Sequence, residues 1–310
     1  MASQFNRTAV IASLSLSLTL VVGVLFGAKY FLTHVARQPV SVSELPSPLA
    51  ASPECTQLIE SLPAELMGDP RADIAQPRPA GVAAWATYST EATVLRCGVD
   101  MPMQYTTYSA TEEVAGVSWL PVRDMTPGSS LTTWYTTDFT PAVAVTTFSD
   151  KEPSKLADAL SVLPHNPPAP RPAPLSQLNQ AANASECQSL LAHLPDNLGE
   201  DYERKDVEET FTAAWSARGR EPIVVRCGVT PPQGYEPGVT LQQVNDIPWF
   251  EDTTLGEGTT AGTWYALGFV TDIAVSAPQV AANTALVQIG TRIHEHLAPA
   301  TNECAGAQCQ

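Results

Sequence analysis

Basic residues are scarce in this chain. Its 310 residues include 16 lysines and arginines against 32 aspartates and glutamates, which gives a formal net charge of -16. Nucleic acid binding requires a basic surface, so this balance argues against nucleic acid as a partner. It argues equally against polybasic attachment to anionic lipid. Apolar residues still make up 44% of the chain, enough to form packed cores.

The signatures of several enzyme classes are also absent. The sequence contains no G-x-S-x-G, S-x-x-K, H-E-x-x-H or G-x-x-x-x-G-K pattern, and no C-x2-C pair typical of zinc sites. Only five histidines are present, and His294 and His296 are two residues apart, a spacing that does not place them on one helix face. We therefore expect a protein that is not an enzyme and has no metal or cofactor.

Charge is absent from residues 8–28, near the N-terminus. Twenty apolar residues form a helix of about 30 Å, the thickness of a bilayer's hydrocarbon core. The sequence predicts a cytoplasmic N-terminus over residues 1–8 and a transmembrane signal anchor over residues 9–32. A cleaved signal peptide is the alternative, but the apolar run is long and ends at Gly27-Ala28-Lys29, a poor cleavage site.

Two stretches of the chain repeat one another. Residues 55–63 recur as residues 187–195, and residues 94–99 (VLRCGV) recur as residues 224–229 (VVRCGV). Such a duplication indicates a tandem pair of homologous domains. The predicted boundaries are a stalk over residues 33–51, a first repeat over 52–165, a proline-rich linker over 166–184, a second repeat over 185–299 and a tail over 300–310. The prolines of the linker predict an extended, semi-rigid spacer.

Each repeat is predicted to be a small α+β domain with a helix, several antiparallel strands and a closing helix. Cys55 and Cys187 lie on the apolar face of the opening helices. Cys97 and Cys227 lie on the apolar face of a strand, because side chains alternate along a strand. We predict a disulfide between helix and strand in each repeat. Cys304 and Cys309 are predicted to pair within the tail or between chains.

All six cysteines follow the apolar segment, and disulfides persist outside the cytoplasm. We therefore expect the bulk of the chain to be extracytoplasmic, attached to the cell membrane by a single span.

The remaining candidate site is a ligand groove in each repeat. Aromatic rings can stack on sugars, and arginine can bind carboxylate or phosphate. The alternative is that the tryptophans pack in the core and each arginine pairs with an acidic residue. The groove residues would be Arg96, Trp85, Trp119 and Trp134 in the first repeat and Arg226, Trp215, Trp249 and Trp264 in the second.

These motifs resemble the actinobacterial domain of unknown function 3515. The resemblance lies in a Cys-x-x-Leu helix, a tryptophan before the Arg-Cys-Gly-Val strand, and a later Val-x-x-Val-x-Trp segment. It covers both repeats, although Val225 replaces a leucine in the second copy and Ala86 and Ser216 stand where the family has glycine. The resemblance implies an envelope protein with an N-terminal membrane segment and implies no activity.

We expect a non-enzymatic interaction module of the cell envelope, which engages an envelope protein or a wall polymer. The alternative is an envelope enzyme or a glycan-binding accessory that uses the arginine and tryptophan groove.

Overall fold

A computed structural model describes residues 7–35, 39–43, 45–87, 91–180, 186–236, 238–254 and 259–300. The first element is the helix α1 (Arg7–Val35). Its segment Thr8–Phe31 is long and apolar enough to cross a membrane. The 24 residues of this segment correspond to about 36 Å of helix, more than the hydrocarbon thickness of about 30 Å.

The first repeat contains one antiparallel sheet of eight strands. In sheet order the strands run β1-β2-β3-β4-β8-β7-β6-β5, so the last strand is inserted beside the fourth. The strands are β1 (Glu65–Leu66), β2 (Asp69–Ala72), β3 (Val82–Trp85), β4 (Thr93–Val99), β5 (Glu112–Val114), β6 (Val117–Arg123), β7 (Thr132–Thr136) and β8 (Ala142–Thr147).

The second repeat contains a sheet of the same topology. Its order, β13-β14-β15-β16-β12-β11-β10-β9, places the last strand beside the fourth in the same way. The strands are β9 (Asn197–Leu198), β10 (Tyr202–Lys205), β11 (Thr212–Ser216), β12 (Ile223–Val229), β13 (Gln242–Val244), β14 (Ile247–Glu251), β15 (Ala261–Ala266) and β16 (Asp272–Pro278).

Helices cover one face of each sheet. The opening helices are α2 (Pro53–Ser61) and α4 (Cys187–His193). The Ser52 hydroxyl accepts a hydrogen bond from the Cys55 amide at 3.2 Å, and Pro53 occupies the first turn, so α2 begins where the sequence favours it.

The closing segments of the two repeats differ. The second repeat closes with the 18-residue helix α5 (Gln279–His296), whereas the first has a 3₁₀ turn (Ser154–Leu156) followed by the four-residue α3 (Ala157–Leu160). The shorter form lies between Pro153 and Pro164, which are much closer together than Pro278 and Pro299. Proline interrupts helices, so the first repeat has room for a short closing segment only.

Both predicted domain disulfides are present. Cys55 pairs with Cys97 and Cys187 pairs with Cys227, and each half-cystine is at most 1% exposed. They join the opening helix to the fourth strand of the sheet in each repeat. The predicted pairing of Cys304 and Cys309 lies outside the described residues.

The segment predicted as a stalk packs on the first repeat instead of standing free. We call residues 39–43 and 45–50 the strap. Val40 is 3% exposed and exchanges hydrogen bonds with residues 73 and 75, with N···O distances of 2.8 and 2.9 Å. The Leu49 amide donates to the Gly98 carbonyl at 3.2 Å. Gly98 has φ +80 and its backbone touches the strap, so this site favours glycine.

The linker is likewise packed, contrary to the prediction of a spacer. The Arg171 amide donates to the Tyr105 carbonyl at 3.0 Å, and the Arg171 carbonyl accepts from the Thr107 amide at 3.1 Å. Four residues later, Leu175 is 2% exposed and packs on the second sheet with Val224 and Tyr265. The linker therefore contacts both repeats: its backbone pairs with the first repeat at Arg171, and Leu175 is buried against the second.

Candidate functional site

The six tryptophans are core residues. All are at most 4% exposed, and all lie on the helix-covered side of the two sheets: Trp85, Trp119, Trp134, Trp215, Trp249 and Trp264. The indole N–H of Trp85 donates to the Pro63 carbonyl at 2.9 Å, and that of Trp215 donates to Pro195 at 2.9 Å. These bonds join the third strand of each sheet to the end of the opening helix. The tryptophans have no free ring face to offer a sugar.

The predicted arginine and tryptophan groove is therefore not formed. Arg96 pairs across the sheet with Val82, three residues from Trp85, and an odd separation along a strand places the two side chains on opposite faces. Arg226 Nη1 instead donates to the Leu175 carbonyl at 2.8 Å, which helps to hold the linker. Burial lowers the pKa of Arg96, which shares the outer face with Tyr135.

Other arginines contact the tryptophans. The Arg71 guanidinium lies 4.8 Å from the ring centre of Trp85, and that of Arg204 lies 5.8 Å from Trp215. Arg71 and Arg204 occupy β2 and β10, directly across from these tryptophans in the register. The duplicated motifs do not reveal these two arginines, because the loops before the third strand differ in length between the repeats. These arginines cover the buried rings, and cation–π attraction contributes to the packing.

One turn of the second repeat contacts the first repeat. Arg218 Nε lies 2.6 Å from Glu112 Oε1, and its guanidinium carbon lies 5.6 Å from the Trp134 ring centre. The Gly219 carbonyl accepts a hydrogen bond from the Arg123 amide at 2.9 Å. The residue of the second repeat that matches Glu112 is Gln242, so this ion pair is not duplicated. The two repeats form an asymmetric contact.

Between the repeats and the linker lies a cleft of about 550 Å³. Its lining combines hydroxyls, side-chain amides, one carboxylate and one guanidinium with prolines, Met103 and Leu175. The first repeat contributes Met103, Gln104 and Thr106, the linker contributes Arg171, Pro172, Ala173, Pro174, Leu175, Ser176 and Gln177, and the second repeat contributes Glu221, Pro222, Thr259, Ala261, Thr263 and Ser276. Clefts of this size between domains are common ligand sites.

Glu221 is the most buried charged group in this cleft, at 6% exposure. Its carboxylate accepts hydrogen bonds from the Thr260 amide at 3.3 Å and the Thr260 hydroxyl at 3.1 Å, and the Tyr202 hydroxyl donates to its carbonyl at 3.1 Å. Burial raises the pKa of the Glu221 carboxyl. The matching Glu91 is exposed, so it is the packing around the cleft that buries this position in the second repeat.

In the described parts of the chain, the histidines do not lie in a cluster of metal-binding side chains. His193 of α4 stacks on His296 of α5 with ring centres 3.9 Å apart, which is a packing contact between helices. Among the described residues no group of three or more histidine, cysteine, aspartate or glutamate side chains is arranged to hold a metal ion.

The profile of one protein family matches the chain twice. The family described as "Protein of unknown function (DUF3515)" matches residues 14–171 and residues 159–301. The chain belongs to this family. It carries two copies of the DUF3515 unit in tandem, as the duplicated strand and helix motifs predict. No curated protein and no solved structure matches the chain.

Proposed function

We propose that this DUF3515 protein is a membrane-anchored, extracytoplasmic interaction module that binds a peptide segment of a partner protein between its two repeats. The cleft of about 550 Å³, bounded by both repeats and the linker, is the observation that carries this proposal. Its hydroxyl and amide side chains, such as Thr106, Gln104 and Gln177, suit hydrogen bonds to a peptide backbone. Its prolines and Leu175 suit apolar side chains.

The anchoring part of the proposal rests on the chemistry of the chain. A predominantly apolar helical segment of 24 residues precedes two domains that each hold a buried disulfide. Disulfides persist in oxidising compartments. A single span with both repeats outside the cytoplasm accounts for the two features together, with an envelope protein as the partner.

A peptide is favoured over a wall glycan because of the lining. Sugar-binding sites use exposed aromatic faces, and the six tryptophans are buried in the cores. Among the described lining residues of the cleft there is no aromatic side chain. We propose that the protein is not an enzyme, and its four domain cysteines are held in disulfides and cannot act as nucleophiles.

Photo-crosslinking in native membranes tests the proposal. A benzophenone amino acid replaces Gln177, an exposed residue of the cleft, and in a control it replaces Gln243, an exposed residue of β13 that does not line the cleft. We expect an adduct from position 177 in which mass spectrometry identifies a crosslinked peptide of a second protein, and none from position 243. An adduct removed by glycan hydrolases would contradict the proposal in favour of the glycan-binding alternative, and equal adducts at both positions would contradict the cleft as the site.

A further inference from the structure

The first repeat lies very close to the end of the apolar helix. Helix α1 ends at Val35 and Val40 is already buried in the first repeat, 3% exposed. Five residue steps span at most about 17 Å even in a fully extended chain. Val40 pairs with residues 73 and 75, which begin the loop between β2 and β3. Once α1 spans a bilayer, this loop must lie near the membrane surface.

The strap and this loop carry two exposed leucines and one exposed arginine. Leu45 and Leu49 of the strap are 54% and 45% exposed, two of the few large apolar side chains exposed outside α1. Arg78 is exposed within the loop and its Nη2 donates to the Val82 carbonyl at 3.1 Å. We call Leu45, Leu49 and Arg78 the strap patch. Surfaces that contact a membrane typically combine exposed apolar side chains, which enter the interface, with basic side chains that reach the lipid phosphates.

The second repeat provides an internal comparison. The corresponding loop between β10 and β11 carries Asp206, Glu208 and Glu209, all exposed, where the first repeat has Asp73 and Arg78. Carboxylates at this position would be repelled by an anionic bilayer. The acidic loop therefore occurs only on the repeat that has no direct covalent connection to α1, and the loop next to α1 carries no net charge.

We propose that the first repeat rests on the membrane through the strap patch, with Leu45 and Leu49 at the lipid interface and Arg78 on anionic phospholipid head groups. The proposal rests on the proposed function, because it requires α1 to span the membrane. It adds an orientation: the first repeat is held against the bilayer, and the acidic loop of the second repeat stays away from it.

Fluorescence quenching on the full-length protein tests this contact. The protein is reconstituted into vesicles of phosphatidylcholine with phosphatidylglycerol, and a fluorescent amino acid replaces Leu45, Ile11 of α1, or Glu208 of the second repeat. Spin-labelled lipids act as quenchers. We expect quenching at Leu45 and Ile11 but not at Glu208. In the Leu45-labelled protein, Arg78→Glu reduces quenching by about twofold and Arg78→Lys retains it.

The three positions separate the possible failures. Quenching at Ile11 without quenching at Leu45 would overturn the contact and leave the anchor intact. Absence of quenching at Ile11 would overturn the anchor, and with it the proposed function. Equal quenching at Leu45 and Glu208 would overturn the orientation, and an Arg78→Glu variant with unchanged quenching would overturn the head-group contact.

Discussion

Removal of the disulfide from either repeat is predicted to destabilise that repeat strongly. The bond between Cys55 and Cys97 joins residues 42 apart, and the bond between Cys187 and Cys227 joins residues 40 apart. In the chain-entropy account, a loop of this length restricts the unfolded chain enough to contribute about 4 kcal/mol. The double substitution Cys55→Ala with Cys97→Ala avoids leaving a single buried thiol.

The predicted loss has a direct readout in urea. With a denaturant dependence of about 2 kcal/mol per molar for a domain of this size, a loss of about 4 kcal/mol lowers the unfolding midpoint by about 2 M. Tryptophan fluorescence of the full chain in detergent micelles reports both repeats, because each contains three buried tryptophans. The matched variant, Cys187→Ala with Cys227→Ala, is predicted to lower the midpoint of the second repeat by a similar amount.

A midpoint that moves by less than about 0.5 M in both double variants would contradict a stabilising role for the disulfides. Such a result would mean that the helices and sheets are held together by packing alone. A large loss in one repeat and none in the other would contradict the argument from loop length, since the two loops are nearly equal.

Three further predictions concern the strap, the contact between repeats and the cleft. Gly98→Ala is predicted to destabilise the first repeat by at least about 1 kcal/mol more than Gly116→Ala in urea unfolding. Both glycines have φ +80, but only at Gly98 would a Cβ clash with the strap backbone at Leu49. Equal losses would contradict the packing of the strap. A double-mutant cycle of Arg218→Ala and Glu112→Ala is predicted to give a coupling free energy of about 0.5–1 kcal/mol. The value is small because Arg218 is half exposed and solvent weakens the ion pair. Zero coupling would contradict the contact. Burial raises the pKa of Glu221 above its ordinary 4.5, so the folded state binds this proton more tightly than the unfolded state does. The melting temperature of the wild type is therefore predicted to fall relative to that of Glu221→Gln as pH rises from 4.5 through the folded-state pKa. Parallel pH profiles would refute the burial of this carboxyl.

The disulfides could be predicted from the sequence because each depends on local periodicity. Cys55 lies on the apolar stripe of a helix and Cys97 lies on the apolar side of a strand, and both patterns are visible in a few neighbouring residues. The recurrence of the same pair at Cys187 and Cys227 makes the prediction specific. The duplication likewise predicts two domains with one topology, which the two sheets share.

The sequence alone could not decide whether the arginines and tryptophans form a groove. Whether Arg96 and Trp85 share a face depends on the register between two strands, and Arg96 lies opposite Val82. The sequence within either strand carries no record of that register. Without the register, the sequence also could not show that Arg71 of β2 covers the Trp85 ring.

The packing of the linker and the formation of the cleft depend on contacts between distant parts of the chain. Prolines predict an extended backbone, but a turn forms at residues 174–177 with Leu175 at φ +67. Composition also does not tell whether Leu175 finds an apolar surface to cover it. Here it packs with Val224 and Tyr265 on the outer face of the second sheet. The burial of Glu221 follows from the same assembly of repeat, linker and repeat, so the residue had no signal beyond its match with Glu91.

The state of the cysteines in native membranes decides whether the two repeats are disulfide-bonded, extracytoplasmic domains. Intact membranes are treated with an alkylating reagent, and the protein is digested without reduction and analysed by mass spectrometry. We expect unmodified, linked peptides that join Cys55 to Cys97 and Cys187 to Cys227. Alkylated Cys97 or Cys227 would contradict both the disulfide-bonded fold and the extracytoplasmic location of the two repeats.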